Sequence, residues 1–274
     1  YYSERYALAG GSVGDQAGYG GRNNARGRSQ RDEADCPENC YNTRNMFRNQ
    51  GKLVVIEGAD GSGKGTQARL LTKVVQEYTP ATFFEFPRYK KSAFGKLIGR
   101  CLAGDFGDFV ELSPYLSSLP YILDRARAKY LLLESLKEGH VICDRYTTSN
   151  IAYQAAKLPE KERVEFIDFI EKGEYEELGL PVPDLVIYLA VPVEISTELV
   201  TKKSLRAYLN GDTKKDQYEA DAGYQAKVAE MYQWLAKNNE NWQVINCVKN
   251  GKLLSREEIH LKIMKLVKKE LNLR

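Results

Sequence analysis

Residues 52–67 read KLVVIEGADGSGKGTQ. Lys52 to Glu57 form a short apolar run rich in β-branched residues, which predicts a buried parallel strand. Thr66 to Tyr78 (TQARLLTKVVQEY) carries helical spacing. Between them lies a glycine loop close to the G-x-x-x-x-G-K-[ST] pattern, with Gly65 where Ser or Thr is expected and Thr66 next to it. Strand, glycine loop and helix in that order predict a polyphosphate cradle. Backbone N–H groups curl around the anion at a helix N-terminus, where orphan donors and the macrodipole favour negative charge. Gly58, Gly61, Ser62, Gly63, Lys64, Gly65 and Thr66 are its expected members. Lys64 supplies a point charge for the phosphates, and the Thr66 hydroxyl is expected to serve magnesium.

Further apolar strands are expected at Thr82–Phe86, Val141–Asp144, Asp184–Val191 and Trp242–Val248, with helical stretches between them. Five strands alternating with helices predict an α/β fold, a parallel sheet covered on both faces. Ligands in such sheets sit beyond the carboxyl ends of the strands. Those ends carry Arg88 in FPRY and the Asp144–Arg145 pair in DRYTTSNIAYQ. In the long helical pattern Ser113–Glu138, Tyr121 and Arg125 are four apart and share a face. Arginines converging on a phosphate loop make a second anion site, because a guanidinium fork matches phosphate oxygens. The second substrate is therefore expected to carry a phosphate of its own. Each residue also has a plainer reading: Arg88 as a solvated charge, Arg125 paired with Asp124 or with a neighbouring helix, Asp144–Arg145 as a strand-end ion pair, and Tyr121 as a core aromatic.

A chain of 274 residues with 43% hydrophobic content has enough apolar side chains for one large core. A net charge of +3 gives no support to nucleic-acid or membrane-surface binding. No apolar run approaches the roughly 18 to 20 residues of a membrane helix. Five scattered cysteines suit a reducing compartment, and Cys36 and Cys40 have no nearby histidine to complete a zinc site.

The first fifty residues contain seven Arg, seven Gly and no Lys, with little apolar periodicity. They read as a flexible extension, residues 1–50, appended to a catalytic domain at 51–274. Arg22, Arg26, Arg28 and Arg31 suggest organelle targeting, although the segment holds more acids than a transit peptide carries. The expectation is a mature extension of a mitochondrial matrix protein, available to protein partners, with a cytoplasmic location as the alternative.

Taken together, EGADGSGKGTQ, FPRY, LPYILDRAR, DRYTTSNIAYQ and DQYEADAGYQAKVAEMYQWLA closely resemble thymidylate kinase, a P-loop nucleoside monophosphate kinase family. The likeness runs from about Lys52 to the C-terminus. The GKGT ending of the loop is the form found in adenylate-kinase-like enzymes. The resemblance implies transfer of the ATP γ-phosphoryl group to dTMP with Mg²⁺, in a five-stranded fold with a lid and a helix-packed homodimer. It implies that Asp60 serves the sugar 3′-hydroxyl side, that Arg88 and Arg145 hold the acceptor phosphate, and that Tyr121 stacks on the base. Arg125, Ser149 and Asn150 fall along the base, Tyr153 packs against the sugar, and Tyr218 closes over the acceptor. Thr66 and Asp144 are the expected metal residues.

Gly61 and Ser62 stand where some members place a catalytic arginine, so the lid is expected to supply it. The lid is read at about residues 202–217, and Arg206 is its only arginine. Two other readings remain: a kinase fold recruited as an accessory subunit of a large mitochondrial assembly such as a respiratory complex, and a kinase for another monophosphate such as dUMP or dGMP.

Overall fold

The structure, a computed structural model, describes residues 51–201, 218 and 221–273. The expectations for residues 1–50 and for the lid, including Arg206, lie outside the described residues.

Strands β1 (Leu53–Glu57), β2 (Ala81–Glu85), β3 (His140–Asp144), β4 (Leu185–Ala190) and β5 (Trp242–Asn246) form one parallel sheet in the order β2-β3-β1-β4-β5. This is the five-stranded arrangement read from the apolar runs. A small antiparallel pair, β6 (Val248–Lys249) and β7 (Lys252–Leu253), follows. The helices are α1 (Lys64–Gln76), α2 (Ala93–Leu102), α3 (Pro114–Glu138), α4 (Thr147–Ala155), α5 (Glu160–Glu171), α6 (Val193–Thr201), α7 (Ala222–Asn238) and α8 (Arg256–Glu270). A π-helical turn, Lys172–Glu177, extends α5.

Every residue of β1 is buried, because helices cover both sides of the sheet. Strand alternation sends Val54, Ile56, Ile187 and Leu189 to one face, where they meet Leu71 and Val75 of α1 and Ile263 and Val267 of α8. Each such aliphatic side chain contributes about 1.5–3 kcal/mol by leaving water. On the opposite face Tyr188 stacks on Tyr232 of α7 with ring centroids 5.0 Å apart.

From central β1 the chain goes to β2 and β3 on one side and then to β4 and β5 on the other. Open parallel sheets bind ligands at the carboxyl edge beside such a reversal. Ile56 is in register with Asp144, so the loops after β1 and β3 emerge side by side.

Candidate active site

The turn after β1 is shaped by its glycines. Gly63 caps α1 at φ 86°, a left-handed conformation that glycine adopts without steric cost, and no side chain caps the helix. The N–H groups of the first turn of α1 therefore face the cleft as an anion cradle. Lys64 is buried and folds back to the Ala59 carbonyl at 3.1 Å and to Asp60 Oδ1 at 3.3 Å.

Asp60 joins this loop to the one after β3. It accepts from Arg145 Nη2 at 2.6 Å and from the Tyr153 hydroxyl at 2.8 Å. Arg145 also donates to Ser149 Oγ at 3.2 Å, and its guanidinium lies 5.1 Å from the Tyr153 ring centre. Burial by itself would lower the Arg145 pKa, but Asp60 and the other polar neighbours outweigh it and hold the pKa well above the usual value. Burial likewise pushes the Tyr153 hydroxyl well above its ordinary range, so it is a neutral donor here.

Arg145 adopts φ 65°, an unusual conformation for a side-chain-bearing residue. Its position is held from beneath by Glu57, the last residue of β1, which is fully buried. Glu57 accepts from the Tyr146 N–H at 3.1 Å, Thr148 Oγ1 at 2.6 Å, Ser149 Oγ at 2.6 Å and the Tyr232 hydroxyl at 2.9 Å. No side chain at the N-cap of α4 does this work, so a strand carboxylate fixes the start of that helix from 89 residues away.

The other two arginines are also paired. Arg88 follows the cis Phe86–Pro87 bond and is buried. Its backbone N–H donates to Asp124 Oδ2 at 2.7 Å and its Nε to Oδ1 at 3.3 Å. Arg125 is 2% exposed and donates through Nε at 2.6 Å, and through Nη2, to Glu174, which is itself fully buried. The plainer readings divide. Arg88 is not a solvated charge. Of the two partners read for Arg125, Asp124 pairs instead with Arg88, because adjacent helical residues point in different directions, while the neighbouring helix does supply the partner, Glu174. Arg145 pairs with Asp60, not with Asp144.

These residues border one cleft of about 820 Å³, within the range of small-molecule sites. Tyr121, Asn150, Tyr153 and Tyr218 form part of its wall. Phe109 stands behind Tyr121 and Tyr218, with centroids 6.4 and 6.0 Å away. Gln154 links Ser117, at 2.6 Å, to the Tyr218 hydroxyl, at 3.0 Å. Asn150 Oδ1 is buried with no hydrogen-bond partner among the described residues, so the wall retains an acceptor for a ligand donor.

The loop's departure at Gly65 has a local cause. A Cβ on Gly65 would lie 2.4 Å from Asp144 Oδ2, so the β3 carboxylate occupies the space of the expected Ser or Thr side chain. Asp144 Oδ1 is buried and unpartnered among the described residues, while Thr66 is exposed on the cleft wall. An unpartnered carboxylate beside a phosphate cradle fits a divalent cation shared with phosphate oxygens. Among the described residues no cluster of three or more His, Cys, Asp or Glu could cage a metal.

The structure thus brings together Asp60, Gly61, Gly63, Lys64, Gly65, Thr66, Arg88, Tyr121, Arg125, Asp144, Arg145, Ser149, Asn150, Tyr153 and Tyr218. Gly58 and Ser62 belong to the loop but not to the cleft wall. Sequence reasoning missed Glu57, Gln154 and Glu174, and gave Asp124 to the wrong arginine. A charged residue ending an otherwise apolar strand was a signal for Glu57; Glu174, in an acidic stretch that reads as surface, had none.

Residues 56–259 match the family model described as thymidylate kinase. The thymidylate kinase of Mycobacterium tuberculosis is 34% identical over 187 residues, covering 67% of this chain and 85% of that protein. A probable thymidylate kinase of Thermococcus onnurineus is 35% identical, covering 80% and 98%, and that of Schizosaccharomyces pombe 32%, covering 80% and 93%. The solved thymidylate kinase of Candida albicans superposes with a TM-score of 0.62, covering 81% of this chain and 93% of that one. At 23% identity it shows a common fold.

Proposed function

The chain belongs to the thymidylate kinase family, and on that premise we infer that it is an ATP-dependent nucleoside monophosphate kinase that phosphorylates dTMP to dTDP. The observation that carries the reading of the site is the meeting of a phosphate loop with two arginines, each held to a carboxylate through one side-chain nitrogen, and an aromatic wall in one cleft. A γ-phosphoryl donor and a monophosphate acceptor both have a place there.

The α1 N-terminus and Lys64 bind the donor phosphates. Arg145 and Arg88 receive the acceptor phosphate, exchanging part of their carboxylate contacts for phosphate oxygens. Tyr121 offers a stacking face to the base, Asn150 a polar edge, and Tyr153 packs against the sugar. Asp60 lies between Lys64 and Arg145, so it fixes the relative position of the donor and acceptor cations and offers an acceptor to a sugar hydroxyl. Phosphoryl transfer needs little covalent help from the protein, and most of the acceleration comes from alignment and charge neutralisation. Asp144 and Thr66 are the residues that would hold Mg²⁺. When bound there, that ion would supply charge neutralisation on the donor phosphates. Arg206 is proposed as the lid arginine, since Gly61 and Ser62 leave the loop without one.

Leu116, Leu119 and Leu123, spaced along one face of α3, are 60%, 42% and 43% exposed. This apolar stripe supports the proposal of a homodimer packed through α3. Light scattering should give twice the chain mass, and Leu119→Glu should halve it. A monomeric wild type would refute the dimer. No observation favours the accessory-subunit reading.

The direct test is ADP release by the purified chain with ATP and Mg²⁺, offering dTMP, dUMP, UMP and dGMP separately. Turnover preferring dTMP is expected. Preference for another acceptor, or none from a folded chain, would overturn the assignment.

A further inference from the structure

Three arginines border the cleft, and each is paired with a carboxylate in a different way. Arg145 reaches Asp60 through Nη2 alone, and the Arg88 side chain reaches the Asp124 carboxylate through Nε alone at 3.3 Å. Arg88 leaves its Nη1 end free, and Arg145, which also donates to Ser149 and to the Tyr153 hydroxyl, leaves its Nε and one Nη1 hydrogen, so each retains donors for an incoming anion. Arg125 is held bidentately: Nε and Nη2 both donate to Glu174, whose Oε2 also accepts from Thr147 Oγ1 at 2.8 Å. A guanidinium has five N–H donors in a fixed fork. Glu174 takes one edge of the fork, and one Nη1 hydrogen points at the Tyr146 carbonyl at 3.5 Å. The outer Nη1/Nη2 edge carries what remains.

Glu174 reaches this position through the π-helical turn Lys172–Glu177. There the Leu178 N–H bonds back five residues to the Gly173 carbonyl, and the Leu180 N–H to that of Glu174. Such turns are rare and recur at functional sites, because the widened turn re-aims a side chain. Here it delivers a fully buried carboxylate to the back of the cleft. Burial by itself would lower the Arg125 pKa, but Glu174 more than compensates, so the guanidinium stays cationic where the carboxylate grips it.

A neutralised, immobilised guanidinium is a poor competitor for a phosphate dianion and a good donor to an uncharged acceptor. We propose that Glu174 is a positioning residue that reserves Arg125 for the uncharged base end of the acceptor, leaving the phosphate to Arg88 and Arg145 and so fixing which way round the nucleotide enters. The inference rests on the reading of the cleft as a nucleoside monophosphate site.

The test uses the full chain with Glu174→Gln, a variant of nearly the same shape, and two probes that separate the ends of the acceptor: thymidine and inorganic phosphate, each as a competitor of dTMP. The variant should raise the dTMP KM and the thymidine inhibition constant about tenfold, the loss expected from one or two polar contacts at a base edge, with the ATP KM unchanged. Phosphate should become a stronger competitor, because Arg125 regains a free charge. In an Arg125→Met background the same substitution should add less than about twofold, as coupled neighbours require. An unchanged thymidine constant, or parallel weakening of thymidine and phosphate, would overturn the proposal, the latter indicating general damage to the cleft. If Glu174→Gln does not fold, Thr147→Val, which removes the third bond to the carboxylate together with a bond to Tyr175, carries the same comparison with a smaller shift of the same sign. Wild-type turnover of dTMP in the same assay separates failure of the kinase reading from failure of this one.

Discussion

Replacing Glu57 tests whether a buried carboxylate beneath the site holds the acceptor-binding loop. Its two oxygens accept four hydrogen bonds of 2.6–3.1 Å: the Tyr146 N–H and Thr148 on Oε1, Ser149 and Tyr232 on Oε2. In Glu57→Gln the amide oxygen can keep the Tyr146 and Thr148 bonds. Its NH₂ must face Ser149 and Tyr232, whose hydroxyls can turn to accept. The geometry survives and the charge assistance is lost, a cost of about 2 kcal/mol if each bond weakens from the charged toward the neutral range. Glu57→Ala leaves no acceptor. Ser149 and Tyr232 can satisfy each other across their 3.0 Å separation, but the Tyr146 N–H and the Thr148 hydroxyl cannot follow. Two orphaned buried donors cost about 2–6 kcal/mol together, before the cavity is counted. Urea unfolding should therefore rank wild type above Gln above Ala. The dTMP KM should rise in the same order, because Arg145 at φ 65° is carried on the loop that Glu57 bonds. Equal losses for Gln and Ala, or an Ala variant that keeps both its stability and its dTMP KM, would refute the reasoning.

Lys64→Ala should lower kcat about a hundredfold or more with the fold intact, since it removes a preorganised positive charge from the transferred phosphoryl group; ADP release together with circular dichroism checks both. Gly65→Ala should lower kcat without a large change in unfolding midpoint, because its Cβ would sit 2.4 Å from Asp144 Oδ2 and the carboxylate must rotate away; full activity would show that the position of Asp144 is unimportant. Lys157, at the end of α4, is pushed by burial from 10.5 down to about 8, opposed by Asp108 and Glu111. Its folded pKa lies below the unfolded one, so the unfolded chain binds more protons between about 8 and 10.5, and its stability contribution rises with pH across that window. The difference in urea midpoint between wild type and Lys157→Met should grow in favour of wild type as pH rises through the window, and a constant difference would contradict the burial.

The catalytic framework was legible because it is local. KLVVIE, the glycine loop and the helix after it are contiguous, and apolar period and loop composition suffice to read them. The same holds for Arg88 and Arg145, whose places at strand ends follow from the strand assignments. Partner choice was not legible: neighbouring acids offered Asp124 to Arg125 and Asp144 to Arg145, whereas the structure gives them Glu174 and Asp60. The π-helical turn had no signature in its KGEYEE sequence.

The sequence by itself determined the elements, the phosphate loop and the kinds of side chain at each strand end, since these depend on spacing within one segment. Tertiary structure alone decided which charges meet. Placing β3 beside β1, with Ile56 opposite Asp144, brings Glu57 to Thr148 and Ser149 and Asp60 to Arg145 across separations of 85–92 residues. Spacing along the chain carries no information about pairing at that distance. Burial does, because an ionised group shut away from water is tolerated only where an opposite charge or enough hydrogen-bond donors meet it.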